Sequence, residues 1–395
     1  MKRPDELGTL GIYVHFPWCL SKCPYCDFVA YAKKPEAIDH AGYADAVLEE
    51  LAMRRSAIPA LAARRLASVF FGGGTPSLWD PAQIARVLRG LTGTFELDPD
   101  LEISLECDPS SLDEERARAL GSAGIGRLSI GVQALDDARL RFLGRIHSAA
   151  EAIAAVRAAK RAGIGRLSTD LIYAVAGHAP EVVAREAVQL VELGATHVSA
   201  YSLTIEPGTP FGRLAKRGKL PLADDAAMAD TFYAIDEALT GVGLEHYEIS
   251  NYAAPYERAR HNVGYWRGAD YLGLGAGAYG TLGAASGSAI RYQNHVDPAV
   301  YAERVSTKGA SLDASVEHLD PATRLRERIM LGLRTREGLD LEAEAAKLGA
   351  EPYPGDRRAA LDRLEARGRI VRSKGQVSVP REAWIFADDT AASLF

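Results

Sequence analysis

The sequence predicts an α/β fold: a partial parallel (β/α)6 barrel, then a smaller α+β region and a C-terminal helical, winged-helix-like module. Three observations carry this. Over the first two hundred residues short apolar runs alternate with segments of helical period, the pattern of parallel strands covered by helices. Several helical segments stop at a glycine able to take positive φ, as at Gly124, Gly163 and Gly194, each just before the next apolar run. The chemically suggestive residues fall where apolar runs end, and ligands collect at that end of a parallel sheet.

The apolar runs lie at 10–15, 66–71, 101–106, 127–132, 167–173 and 197–203. Amphipathic segments at 43–55, 81–91, 113–123, 149–162 and 181–193 separate them. GIGRLS occurs at 124–129 and again at 163–168, and reads as one helix-to-strand joint used twice. The Pro and Gly of EPGTPFG at 206–212 end the pattern. A helix at 224–240, a short strand at 246–249 and a glycine-rich patch at 268–287 follow. Helical segments at 323–333, 341–347 and 357–367 then precede two short strands around Gly375. The expected domains are 1–210, 211–320 and 321–395.

With 395 residues, 47% of them hydrophobic, the chain can bury a large core. Its net charge of -6 argues against nucleic acid as a partner, and makes the winged piece a packing or docking module rather than a DNA reader. The start, MKRPDELG, lacks an apolar run of signal length, and no uncharged apolar stretch reaches the ~18 residues a membrane span needs. A cytoplasmic, reducing location is expected. That location suits thiolate ligation of a metal better than disulfides.

The stretch YVHFPWCLSKCPYCDF, residues 13–28, holds Cys19, Cys23 and Cys26, three of the four cysteines. A structural zinc site takes four ligands, usually as two pairs, and no second pair follows. Three thiolates on a cubane iron-sulfur cluster would instead leave one iron open to chelate a small molecule. Cys107, far off at a strand end, reads as a passive core or site-lining thiol.

The spacing C-x3-C-x2-C, with Tyr25 before the last cysteine, resembles the radical S-adenosylmethionine (SAM) signature. FFGGGTPSL, SLECDPSSL, RLSIGVQALDDARLRFLGRIH, TDLIYAV, YSLTIEPGTPFG and HNVGYWRGADYLGLGAGAYG extend the resemblance over most of 10–280, to the family containing oxygen-independent coproporphyrinogen III oxidase and related heme chaperones. The resemblance implies a [4Fe-4S] cluster on Cys19, Cys23 and Cys26, whose electron cleaves SAM to a 5'-deoxyadenosyl radical. It implies that Tyr25 packs beside SAM, that Gly73, Gly74 and Thr75 meet its methionyl amino end, and that Tyr13, Glu106, Gln133, Arg145 and Asp170 line the rest. Carboxylates suit ribose hydroxyls and an ammonium, and an arginine can fork onto a carboxylate.

Departures within the family point to its heme-chaperone side. Phe28 stands where the oxidase carries a further cysteine, and only eighteen residues precede Cys19. His261, Asn262, Tyr265 and Trp266 match an HNxxYW motif associated there with heme binding, while His246 and His295 are candidate second ligands. Val175-Ala176 and Tyr279 differ from the usual Leu-Pro and His of relatives. The resemblance thus implies a protein that binds heme and passes it to acceptors such as respiratory hemoproteins, with no residue assigned a catalytic role; a homodimer and a peripheral membrane encounter stay open. The rival readings are the oxidase itself, turning propionates into vinyl groups, and a radical enzyme for another substrate.

Overall fold

The computed structural model describes residues 8–307 and 309–395; the charged segment 1–7 read above lies outside them. The six apolar runs form strands β1 (Thr9–Phe16), β2 (Arg65–Gly73), β3 (Glu96–Cys107), β4 (Arg127–Gln133), β5 (Arg166–Tyr173) and β6 (His197–Ser202). Each pairs in parallel with the next in chain order. Alternation in β1 shows how the strands are used. Leu10, Ile12, Val14 and Phe16 are fully buried in the apolar core, while Gly11, Tyr13 and His15 face the lumen.

Helices cover the outer face, and several are started by a side chain that satisfies a free N–H. Asp39 caps the helix His40–Ala57, Asp80 caps Pro81–Thr92 and Asp113 caps Glu114–Ser122. Ser148 and Glu151 form a reciprocal capping box on Ala149–Arg161.

Strands from the stretch 211–320 lengthen this same sheet at both edges. β7 (Glu245–Glu248) and β8 (Asn251–Ala253) add antiparallel pairing beside β6. On the other side β9 (Asp270–Leu274) pairs in parallel with β1, and β10 (Tyr279–Gly283), β11 (Ala289–Asn294) and β12 (Asp313–Leu319) follow antiparallel. The result is a twelve-stranded sheet. Its seventh parallel strand, β9, was hidden in the glycine-rich patch. Two of those glycines are required by contact: a Cβ on Gly273 would lie 1.9 Å from the Tyr279 carbonyl oxygen, and one on Gly280 within 2.3 Å of the Tyr292 ring.

The C-terminal module has the predicted form. Helices Pro321–Gly332, Leu341–Leu348 and Arg357–Ala366 carry a three-stranded wing of Leu339–Asp340, Gln376–Ser378 and Val371–Ser373. Its core is continuous with that of the barrel. Trp384 packs edge-on against His246 at 4.4 Å, and Arg381 pairs with Asp236 of the helix Asp225–Gly241. Among the described residues no helix is long and apolar enough to cross a membrane.

Candidate functional site

The cysteine loop leaves the end of β1 and is tied at both ends. Trp18–Cys19 pairs in parallel with Tyr31–Ala32, and the Lys33 N–H donates to Cys19 O at 2.9 Å. Inside the loop the Cys26 N–H donates to Cys23 O at 3.2 Å. The three cysteines are partly exposed and line one cavity of about 680 Å³, together with residues from all six parallel strands or the turns just after them. Burial pushes the Cys19 thiol up to about 11, against the Thr75 hydroxyl, and pushes Cys26 up as well.

The glycine run after β2 forms the opposite wall. Gly74 N–H donates to Phe16 O at 2.7 Å and Thr75 N–H to Trp18 O at 2.8 Å, so the run is laced to the segment that leads into the cysteines. A Cβ on Gly74 would sit 2.6 Å from the Trp18 carbonyl oxygen, and one on Gly73, whose φ is +112°, would strike the His15 ring at 2.5 Å. Only glycine allows this approach. Gly73 N–H donates to Glu106 Oε2 at 3.0 Å.

Two of the carboxyls lining the cavity, Glu106 and Asp170, feel one another. Burial and the nearby Asp170 charge push Glu106 up to about 8. Burial pushes Asp170 up to about 6, although Ser199, Ser129 and Arg145 act the other way. Between the ordinary carboxyl value of 4.5 and about 8, folded Glu106 keeps a proton that the unfolded chain releases, so stability falls as pH rises through that window. We expect Glu106→Gln to raise the melting temperature of the ligand-free protein at about pH 9 and to change it little at about pH 5, measured by scanning fluorimetry. Equal shifts at both pH values would refute a protonated Glu106.

Gln133 closes β4 with φ at +63°, and its buried Oε1 has no partner among the described residues. Arg145 is engaged: its guanidinium reaches Cys23 Sγ and Tyr25 Oη, both at 3.4 Å, Gly131 O at 3.2 Å, and the Asp108 carboxylate. Despite burial, the nearby His147 ring, 3.7 Å away, and the Arg145 charge hold Asp108 well below the usual carboxylate range. Asp108 and His147 were not singled out from sequence. Their positions beside Glu106 and Arg145, in ECDPSS and GRIH, were the available signal.

The HNVGYW stretch forms the helix Arg260–Trp266, and its residues part company. His261, Asn262 and Tyr265 line the inner end of the cavity, near Tyr13. Trp266 faces away, into a second groove of about 440 Å³ shared with Arg328 and Leu339 of the C-terminal module. There its indole lies beside Glu248, a fully buried carboxyl that burial pushes up to about 8. Trp266→Ala removes the indole that packs in this groove and should cost about 3 kcal/mol; urea unfolding would read it, with unchanged cluster content. His246 is also a core residue, bonded to Asp236 at 2.9 Å and stacked on Tyr252 at 4.0 Å.

Comparison with known proteins places this geometry. The Radical SAM superfamily model matches residues 13–200 and the HemN C-terminal domain model matches 319–386. Heme chaperone HemW of Mycobacterium tuberculosis is 35% identical over 372 residues, 91% of this chain and 92% of that protein. HemW of Haemophilus influenzae is 39% identical over 297 residues, 75% and 76% of the two chains. The chain belongs to the heme chaperone HemW family. The solved structure of Escherichia coli coproporphyrinogen III oxidase (HemN), described as a radical SAM enzyme, aligns with TM-score 0.80 over 98% of this chain and 90% of its own; at 22% identity it establishes the fold.

Radical SAM membership implies a [4Fe-4S] cluster and SAM, and the HemW-family site fits both. Among the described residues no group of three or more His, Cys, Asp or Glu converges on a single-ion site. A cluster needs no such convergence, since each thiolate binds a separate iron. Beside the thiols lie a glycine cradle too tight for a Cβ, an orphaned amide oxygen and two buried carboxyls, a donor set suited to an amino acid and a ribose.

Proposed function

We propose that this HemW-family chain is a heme chaperone that binds heme and hands it to acceptor proteins, on a scaffold carrying a cluster and SAM. The observation that carries the reading is the alignment with a heme chaperone over nine-tenths of both chains. Cys19, Cys23 and Cys26 would hold the cluster. Tyr25 would lie beside SAM, Gly73, Gly74 and Thr75 would receive its methionyl amino group, and Tyr13, Glu106, Gln133, Arg145 and Asp170 would surround the remainder. When bound, the cluster supplies an electron to SAM.

The chain's own residues prepare that site in stated ways. Backbone carbonyls of Phe16 and Trp18 fix the glycine run. A protonated Glu106 lets two carboxyls share one cavity without mutual repulsion. Arg145, clamped by Asp108, sets its positive charge beside Cys23. The divisions near 210 and 320, a cytoplasmic location, respiratory hemoproteins as acceptors, a homodimer and a peripheral membrane encounter are finer parts of the proposal.

The test is anaerobic incubation of the reconstituted protein with SAM, a strong reductant and coproporphyrinogen III, read by porphyrin mass, beside a heme titration and transfer to an apo-hemoprotein. Heme binding and transfer without decarboxylation are expected. A decarboxylated product would make the protein an oxidase.

A further inference from the structure

We propose that the basic segment 213–219, which borders the cysteine cavity, is the surface on which an acceptor protein with an acidic face docks. This deepens the heme-chaperone reading above and rests on it.

The chain has a net charge of -6, yet residues 207–223 include no acidic side chain and hold four cations within seven positions: Arg213, Lys216, Arg217 and Lys219. All four are exposed, and among the described residues none of them is in an ion pair; Arg213 donates to Gly208 O at 3.0 Å. Other surface arginines of this chain find carboxylates, as Arg118 and Arg161 do on Glu114 and Arg372 does on Glu365 and Asp362. Four unmatched cations this close repel one another, and an acidic partner relieves that repulsion.

Both ends of the segment are fastened to loops at the C-terminal end of the parallel sheet. On one side the Phe211 N–H donates to Pro24 O of the cysteine loop at 2.9 Å, and the Phe211 ring packs on Phe142 at 5.1 Å. On the other, Leu222 forms an antiparallel bridge with Val175, just after β5. Val175, one of the departures from the Leu-Pro of relatives, is buried there.

Between these anchors the helix Pro210–Ala215 gives way to Gly218, whose φ is +63°, and the Lys219 N–H turns back to Leu214 O at 3.0 Å. The chain folds over itself, which gathers the four cations into one patch. Leu203, Thr204 and Glu206, just before it, line the cysteine cavity. Cargo leaving that cavity would reach a protein docked here without crossing open solvent.

A protein face fits this patch better than a bilayer. The helix has six residues, too short to lay an apolar stripe into lipid, and its one aromatic, Phe211, is buried. Its surroundings offer two exposed apolar side chains, Leu214 at 37% and Leu222 at 42%, set beside the charges as in the polar rim of a protein interface. Charges on such a rim act mainly on the rate of encounter and on its salt dependence.

The experiment loads the full reconstituted chain with heme and follows transfer to apo-cytochrome b5, used as an acidic acceptor, over a range of acceptor and salt concentrations. The patch variant combines Arg213→Gln, Lys216→Gln, Arg217→Gln and Lys219→Gln. A control removes the same charge from exposed positions on the outer helices, with Arg55→Gln, Arg89→Gln, Arg157→Gln and Arg185→Gln. Cluster content and heme affinity should be alike in all three proteins. The wild-type rate should rise with acceptor concentration and fall with salt, and at low salt the patch variant should be roughly tenfold slower and the control within about twofold of wild type. Should the fourfold variant lose its cluster, Lys216→Gln with Arg217→Gln is read in the same way, for a loss of about threefold. Equal losses in patch and control, no loss in either, or a wild-type rate independent of acceptor concentration overturns the docking surface and leaves the chaperone reading in place. So does a patch variant that transfers heme normally but no longer floats with phosphatidylglycerol vesicles, which would make the surface a membrane contact. A wild type that takes no heme overturns both.

Discussion

Replacing Cys19, Cys23 or Cys26 by alanine is expected to abolish the visible absorbance of a reconstituted cluster. The chain has no substitute thiolate. Its fourth cysteine, Cys107, lines the same cavity but is only 4% exposed, and burial drives its thiol far above the ordinary range, so it stays protonated. Because the three ligands sit on a partly exposed loop, each variant should remain folded, and loss of the cluster would not follow from collapse. Iron and sulfide content, absorbance and far-UV circular dichroism of the anaerobically reconstituted variants make the measurement. Full cluster content in any of them would remove that cysteine from the ligand set.

The largest loss of stability should come from Arg127→Leu. Arg127 and Glu102 are 1% and 3% exposed and bonded through two guanidinium nitrogens at 3.0 and 3.1 Å. The same guanidinium bonds Ser168 Oγ and the Glu257 carbonyl, while Glu102 also accepts the Arg260 N–H at 2.8 Å. The pair therefore joins β3 and β4 to the start of the helix bearing His261. Removing the cation leaves a buried carboxylate, which costs about 3–5 kcal/mol. Arg166, 3.4 Å from Glu102 but itself partly exposed, offsets only a part. Denaturant unfolding of Arg127→Leu beside an Arg127→Leu, Glu102→Gln double variant tests this. The double variant should recover a portion of the loss, and no recovery would mean that the lost packing, not the stranded charge, sets the cost.

The fold class, the order of the six parallel strands, the cysteine motif and the glycine run were legible in the sequence because each depends on residues near one another in the chain. Period-two alternation, a glycine at a helix end and three cysteines within eight positions are local signals, and the physics that reads them is local too. The family resemblance added which residues belong to one site, and the cavity does gather Tyr13, Tyr25, Glu106, Gln133, Arg145 and Asp170 with the cysteines. What required the tertiary structure was everything set by register and by contacts between distant segments. β9 joined the barrel only because glycines let β10 and Tyr292 crowd it. HNVGYW looked like one site until packing placed Trp266 in the groove against the C-terminal module, while His261, Asn262 and Tyr265 line the cysteine cavity. Arg145 was read as able to fork onto a carboxylate, and only packing showed that Asp108 already lies against it. Sequence names which side chains can carry charge, ligate or stack; burial and partners, decided by packing across the chain, determine which of them are left with anything to offer.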